Sequence, residues 1–176
     1  VSTSNVTTVI NLFDKINKIL NKEIFSITTI GTKEKFKDKL DIVNLNVKEI
    51  LTQDFNQDFQ ILIMPSTNNM DFLNDEIIFD NLHNIVDRCD IILACNEGVI
   101  PLILTDLLSG LMVSLPKKYE EKLKEYLSSS IISDKNIVDN GKIILFNGND
   151  DITSGCLYLI KRLCGEGMYK ALLSGV

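Results

Sequence analysis

The residues best suited to chemistry follow one apolar stretch of the sequence. Phe59–Met64 is almost continuously apolar, which is typical of a strand buried on both faces of a parallel sheet. Pro65 ends the stretch because it has no N–H to donate, and four small polar residues follow, Ser66-Thr67-Asn68-Asn69. Ligands of open α/β sheets bind beyond the carboxyl ends of strands, so we expect Ser66, Thr67 and Asn69 to line a site. The same residue types are common in capped turns, and that alternative stays open.

A second candidate is Ser2-Thr3-Ser4-Asn5, which opens a predicted amphipathic helix over residues 5–21. If Val1 ends a strand beside Phe59–Met64, these hydroxyls lie at a strand-to-helix turn, where free N–H groups and the helix dipole bind phosphate. An ordinary helix cap explains the same residues. The sequence has no G-x-G-x-x-G motif and no Walker loop, so the common dinucleotide and triphosphate sites lack support.

Strand-like and helix-like segments alternate along the chain, which favours a parallel sheet with helices on both faces. The sequence therefore predicts a Rossmann-like, three-layer α/β sandwich that forms a single domain over residues 1–176. Strands are predicted at residues 23–30, 42–45, 59–64, 111–115 and 141–146, with 91–95 left as strand or helix. Helices are predicted at residues 5–21, 32–40, 73–86, 99–108, 117–127 and 151–164, with a helical turn over 47–57.

Composition excludes several classes of protein. The chain has 176 residues, 45% of them hydrophobic, and a formal net charge of −6, which argues against a nucleic-acid surface. No apolar run is long enough to span a bilayer, and no leader is visible, so we expect a cytoplasmic protein. The four cysteines form no C-x-x-C pair, which favours free thiols on buried faces over a metal site.

Beyond these patterns, the chain resembles the flavoprotein family of homo-oligomeric flavin-containing cysteine decarboxylases. Pro65-Ser66-Thr67-Asn68-Asn69 is similar to the family's Pro-x-Ser/Thr-x-Asn signature, and Ser2–Asn5 to its phosphate loop. Thr29 and Thr32 stand where the family has small or hydroxyl residues after its second strand, and Asp80-Asn81-Leu82 follows at the family's spacing.

The resemblance implies an FMN cofactor, or FAD, and a small thiol or carboxylate substrate. It implies that Ser2, Thr3, Ser4 and Asn5 hold the phosphate, and that Asn69 faces the reacting group of a decarboxylase, a lyase. It also implies a homo-oligomer, a trimer or a multiple of one. The single histidine, His83, lies downstream of the signature rather than upstream, so a non-catalytic flavin-fold binding or assembly subunit is the alternative. A nucleotide-binding α/β domain unrelated to flavin is a third option.

Overall fold

The computed structural model describes residues 3–32, 35–37, 44–46, 48–52, 56–67, 75–148 and 152–174. Its α-helices are α1 (Thr3–Leu20), α2 (Glu76–Asp87), α3 (Ile100–Leu104) and α4 (Thr153–Ser174), with short 3-10 segments at Asn96–Val99 and Lys117–Tyr119. Its strands are β1 (Ile30–Gly31), β2 (Lys35–Lys37), β3 (Asn44–Asn46), β4 (Glu49–Ile50), β5 (Phe59–Met64), β6 (Cys89–Cys95), β7 (Met112–Val113), β8 (Ile131–Ile132), β9 (Ile137–Asp139) and β10 (Ile143–Phe146).

In the described part of the chain, the central sheet comprises four strands in the order β5-β6-β10-β9. β6 pairs in parallel with β5 on one side and with β10 on the other, and Ile92 is the partner of both Leu62 and Ile143. β9 runs antiparallel to β10 at the end of the sheet. The sheet is therefore mainly parallel, and the carboxyl ends of β5, β6 and β10 meet at one edge.

The sheet separates two hydrophobic cores, which gives the fold three layers. Along β6, Ile92 and Ala94 face the core that contains α2 and α3, whereas Leu93 and Cys95 face the core of α1 and α4. β10 alternates in the same way, and its four residues are all buried. Residues covered on both faces of a sheet are apolar at successive positions, which explains the apolar sequences of β10 and of residues 91–95 in β6. The predicted three-layer α/β fold is confirmed.

Among the described residues, three two-stranded pairings accompany this sheet: β1 with β4 and β7 with β8 in parallel, and β2 with β3 antiparallel. The parallel pairs join segments well separated in sequence. β2 lies within the helix predicted over 32–40, and β4 lies within the helical turn predicted over 47–57, so the described residues of both segments include strand where helix was predicted. In the strand predicted at 23–30 only Ile30 lies in a ladder, whereas β3 overlaps the strand predicted at 42–45 at Asn44 and Leu45. Charge and helical spacing were poor guides here because these strands are two or three residues long.

In the second half of the chain, α2 confirms the helix predicted over 73–86, and the segment left open at 91–95 is strand β6. The buried helix predicted over 99–108 is shorter, since α3 ends at Leu104 and Gly110 turns the chain with a φ of +74°. The helix predicted over 117–127 is wrong: a 3-10 segment and successive turns occupy it. β7 and β10 confirm the strands predicted at 111–115 and 141–146, whereas β8 and β9 were not predicted.

Candidate functional site

The polar residues at the carboxyl edge of the sheet form the candidate site. Ser66 follows β5, the segment Asn96–Val99 follows β6, and Asn147 and Gly148 follow β10. Because β5, β6 and β10 are parallel neighbours, residues from three distant parts of the chain meet here. The sequence predicted the first of these segments and missed the other two.

The chain leaves β6 through a sharp strand-to-helix turn, Cys95-Asn96-Glu97-Gly98, which we call the elbow. Asn96 has a φ of +48°, a left-handed conformation that is uncommon for a residue with a side chain. Its Oδ1 accepts a hydrogen bond from the backbone N–H of Gly148 at 3.0 Å, which ties the end of β6 to the end of β10.

Gly98 allows the elbow to lie directly against the end of β5. A Cβ added at this position would collide with the backbone carbonyl of Met64, so no larger residue fits without moving the backbone. A strained residue followed two positions later by a close-packed glycine is the geometry of a nucleophile elbow, which exposes the side chain of the strained residue. In this chain that side chain is an amide.

Glu97 links three parts of the site. It is buried, with 8% of the residue exposed. Its Oε2 accepts a hydrogen bond from Ser66 Oγ at 2.6 Å, and its Oε1 lies 2.8 Å from the Lys118 ammonium. Burial alone would raise the pKa of the Glu97 carboxyl, but the hydrogen bonds from Lys118 and Ser66 outweigh it and hold this pKa below its ordinary value of 4.5. The carboxylate is therefore charged at neutral pH.

The cysteines lie in the core rather than at the site. All four are free thiols, and Cys89, Cys95 and Cys156 are buried, as the sequence predicted. Burial raises the pKa of the Cys89 thiol to about 11, and it raises the pKa of Cys95 further. Since the thiolate is the nucleophile, these side chains are poor candidates for covalent chemistry at neutral pH.

Some of the residues predicted from the flavin signature are among the described residues, and others are not. Ser66 is half-buried against Glu97, and Thr67 is buried. Asn68 and Asn69, the predicted catalytic residue, lie outside the described residues, as do Val1 and Ser2. The strand predicted to end at Val1 is thus not among the described elements.

The other predicted residues lie in α1 or next to β1. α1 begins at Thr3, so Ser4 and Asn5 lie inside the helix instead of before it. Thr29 Oγ1 accepts a hydrogen bond from the backbone N–H of Lys48, and Thr32 follows β1. These contacts hold β1 beside β4 and join neither threonine to Ser66.

Two features that could have suggested other sites have structural roles. Asp80-Asn81-Leu82 lies within α2, where Leu82 packs in the core and Asn81 Nδ2 donates to the Ile77 carbonyl. Open grooves of about 440 and 390 Å³ lie beside the end of α1, where Asn17 binds the backbone of Ile24 and Phe25. Neither groove includes a residue of the carboxyl edge.

His83 is exposed on α2, where its Nε2 lies 3.0 Å from the Thr105 carbonyl. Among the described residues, no three His, Cys, Asp or Glu side chains cluster as metal ligands would. No helix in this part of the chain has the length and apolar character needed to cross a membrane.

The sequence matches no protein-family model and no curated protein, whereas its fold matches many solved structures. A two-domain protein of Anabaena variabilis with DJ-1/ThiJ/PfpI-like and ferritin-like domains superposes with a TM-score of 0.73 and 16% identity over 91% of this chain, which spans 44% of that protein. An AraC family transcriptional regulator of Pseudomonas putida gives 0.73 and 16%, with 98% of this chain and 92% of that one covered. A protein of Vibrio parahaemolyticus assigned as a transcriptional regulator gives 0.77 and 14%, with 96% and 89% covered.

These matches correct the family predicted from the sequence. The neighbours include DJ-1 and ThiJ/PfpI-like proteins and not the flavin-containing cysteine decarboxylases. The expectations that depended on that resemblance are therefore wrong: the FMN or FAD cofactor, the decarboxylase (lyase) chemistry, and the non-catalytic flavin-fold subunit. At 11–16% identity the likeness establishes the fold, and by its fold this chain is similar to the DJ-1/ThiJ/PfpI-like proteins.

Proposed function

We propose that this chain acts as a regulatory domain that binds a small molecule at the carboxyl edge of its sheet, and not as a hydrolase with an elbow nucleophile. The observation that carries the proposal is Asn96. It occupies the strained elbow position at which a nucleophilic side chain would lie. Its carboxamide cannot attack a carbonyl carbon.

The neighbouring thiol offers no replacement for that nucleophile. Cys95 precedes Asn96 but is completely buried in the core of α1 and α4, on the far face of the sheet from Ala94. An added Cβ on Gly155 would lie 3.2 Å from the Cys95 sulfur, so the thiol is closely packed. The raised pKa of Cys95 keeps it protonated, which removes its nucleophilicity.

The fold neighbours support a regulatory role as far as fold can. Two of them, from Pseudomonas putida and Vibrio parahaemolyticus, are named as transcriptional regulators, and each covers at least 96% of this chain. A regulatory domain requires a site that binds a ligand and need not react with it, and the polar carboxyl edge with an amide at the elbow is such a site.

A second candidate is a hydrolase that uses Ser66. The Ser66 hydroxyl donates to Glu97 Oε2 at 2.6 Å, and a carboxylate can act as a general base for a hydroxyl. The ion pair with Lys118 opposes this role because it lowers the pKa of Glu97 and so weakens it as a base.

Assays of hydrolysis with chromogenic ester and peptide substrates test the choice between binding and catalysis. We expect the wild-type protein to give no turnover above the protein-free rate. The variant N96C, made in a C164S background to remove the half-buried Cys164, is expected to gain an iodoacetamide-reactive thiol, whereas C164S alone is not. That result would show that the elbow side chain is accessible and that a thiol at this position is reactive.

Turnover by the wild-type protein that disappears in S66A would overturn the proposal in favour of the serine hydrolase. A second arm screens small metabolites for an increase in melting temperature. A ligand at 100 times its Kd adds about 2.7 kcal/mol of stability, which corresponds to several degrees for a chain of this size. Failure of every compound to stabilise the wild type, together with measured hydrolysis, would exclude the regulatory role.

Three further expectations stay predictions: that the chain forms one domain, that it self-associates, and that it works in the cytoplasm. The trimer was inferred from the flavoprotein resemblance and has lost that support. Sedimentation at micromolar concentration measures whether the chain is a monomer or a homo-oligomer.

A further inference from the structure

The ammonium group of Lys118 lies between a carboxylate and an aromatic ring. Its Nζ is 2.8 Å from Glu97 Oε1 and 4.8 Å from the ring centroid of Tyr119. A carboxylate combined with an aromatic face is a general way to recognise ammonium groups, including methylated ones. We propose that Glu97 and Tyr119 form a subsite for the ammonium group of a small molecule, and that Lys118 occupies this subsite with its own side chain. This inference rests on the proposed function and names the ligand's chemistry.

Glu97 has the properties of a fixed anchor. Its side chain is 11% exposed, and Ser66 orients the carboxylate by donating to Oε2, while Lys118 lies at Oε1. A buried carboxylate is costly unless a cation or hydrogen-bond donors compensate its charge. Among the described residues, Lys118 is the cation within salt-bridge distance of Glu97. Any molecule that displaces Lys118 must therefore bring a positive charge.

Lys118, in contrast, is easily displaced. Its side chain is 63% exposed and belongs to a three-residue 3-10 segment on the surface. A lysine stem is flexible and its ammonium is fully hydrated once it swings into water, so leaving Glu97 costs Lys118 little. A ligand ammonium would gain the same carboxylate and ring, and the net charge of −6 favours the approach of cations.

Calorimetric titration with tetramethylammonium chloride and ethylammonium chloride tests the subsite, with sodium chloride at equal ionic strength as the reference. We expect the wild type to bind at least one of these cations. The variant K118M keeps the stem and removes the competing charge, so it should bind about twofold to fivefold more tightly, since the exposed Lys118 contributes little to the ion pair. The matched control is K117M: Lys117 is 83% exposed in the same segment and pairs with Asp134 instead of Glu97. It should bind as the wild type does.

Substitutions at Glu97 and Tyr119 test the two side chains that form the subsite. E97Q removes the charge and should bind at least about tenfold more weakly. Y119L should lose affinity whereas Y119F, which keeps the ring, should not. Melting curves establish whether each variant is folded. If E97Q is not folded, the comparison of Y119L with Y119F tests the subsite. Equal affinity of K118M and K117M, equal affinity of Y119L and Y119F, or no binding by the wild type and K118M would overturn the inference. None of these results depends on the hydrolysis assays, so the two proposals can fail separately.

Discussion

At the scale of single residues, the site depends on one backbone conformation and one buried charge. Asn96 holds a left-handed conformation because β6 must turn sharply into Asn96–Val99 while Gly98 lies against Met64. Asn tolerates this conformation better than most residues with a side chain. Its side chain also binds Gly148, so the residue that turns the chain also joins two strand ends.

Replacing Asn96 separates these two contributions. N96A and N96G both lose the hydrogen bond to Gly148, but only glycine adopts a φ of +48° without steric cost. We expect both variants to be less stable than the wild type, and N96A to be less stable than N96G by about 1 kcal/mol. Urea unfolding monitored by circular dichroism measures the order. A more stable N96A would contradict the strained geometry.

The charge on Glu97 predicts a dependence of stability on pH. Its folded pKa is depressed, so its contribution is fully present above the unfolded value of 4.5 and is lost as pH falls through the folded pKa. The variant E97Q cannot titrate. The unfolding free energy of the wild type minus that of E97Q should therefore be constant above about pH 5. This difference should decrease as the pH falls below 4.5. A difference that does not vary with pH would show that Glu97 is not stabilised as a carboxylate.

At the scale of elements, one polar cluster attaches α4 to the end of the sheet. Tyr158 and Arg162 lie four residues apart on the same face of α4, and both contact Asp139 of β9. Arg162 Nη1 lies 3.0 and 3.1 Å from the two Asp139 oxygens and donates to the Gly141 carbonyl at 2.9 Å. Shortly after this contact the helix is interrupted at Gly165, where φ is +83°.

We expect R162M to destabilise the protein by about 1–2 kcal/mol, because it leaves Asp139 and the Gly141 carbonyl without their charged donor, with a reduction for partial exposure. The control is K161M. Lys161 pairs with Glu166 while both side chains are about half exposed, so its loss should destabilise the protein clearly less than R162M does. Thermal and urea unfolding of both variants test this. Equal effects would mean that the cluster does not hold α4 to the sheet.

At the scale of the whole molecule, β6 and β10 lie between two hydrophobic cores. Ile92, Leu93, Ile144 and Leu145 are completely buried. In hydrogen exchange we expect the amides of β6 and β10 to exchange most slowly, through global unfolding. The amides of β8, whose Ile131 and Ile132 are 63% and 47% exposed, should exchange faster. Faster exchange in β6 than in β8 would contradict the described sheet.

The sequence by itself determined the general architecture. β5, β10 and α2 were predicted within a few residues because apolar runs and helical periodicity leave a strong local pattern. The full burial expected for Phe59–Met64 is wrong, since β5 lies at the end of the described sheet and is only partly buried. Burial of three cysteines followed from the same reasoning. Predictions failed where elements are short or pair with distant segments, as in β2, β4 and β8, because local propensity is then weaker than long-range pairing.

Only the tertiary structure decided which residues form the site. Ser66 was predicted from its place after β5, but nothing in the sequence pairs it with Glu97, 31 residues later, or with Lys118. The resemblance to a flavoprotein rested on the order and spacing of short motifs. The elbow depends instead on the φ of Asn96 and on the contact of Gly98 with Met64. The spacing of apolar residues is a local feature of the sequence, so it can be recognised without the structure. The meeting of three strand ends arises from the pairing of β5, β6 and β10, which no local pattern specifies.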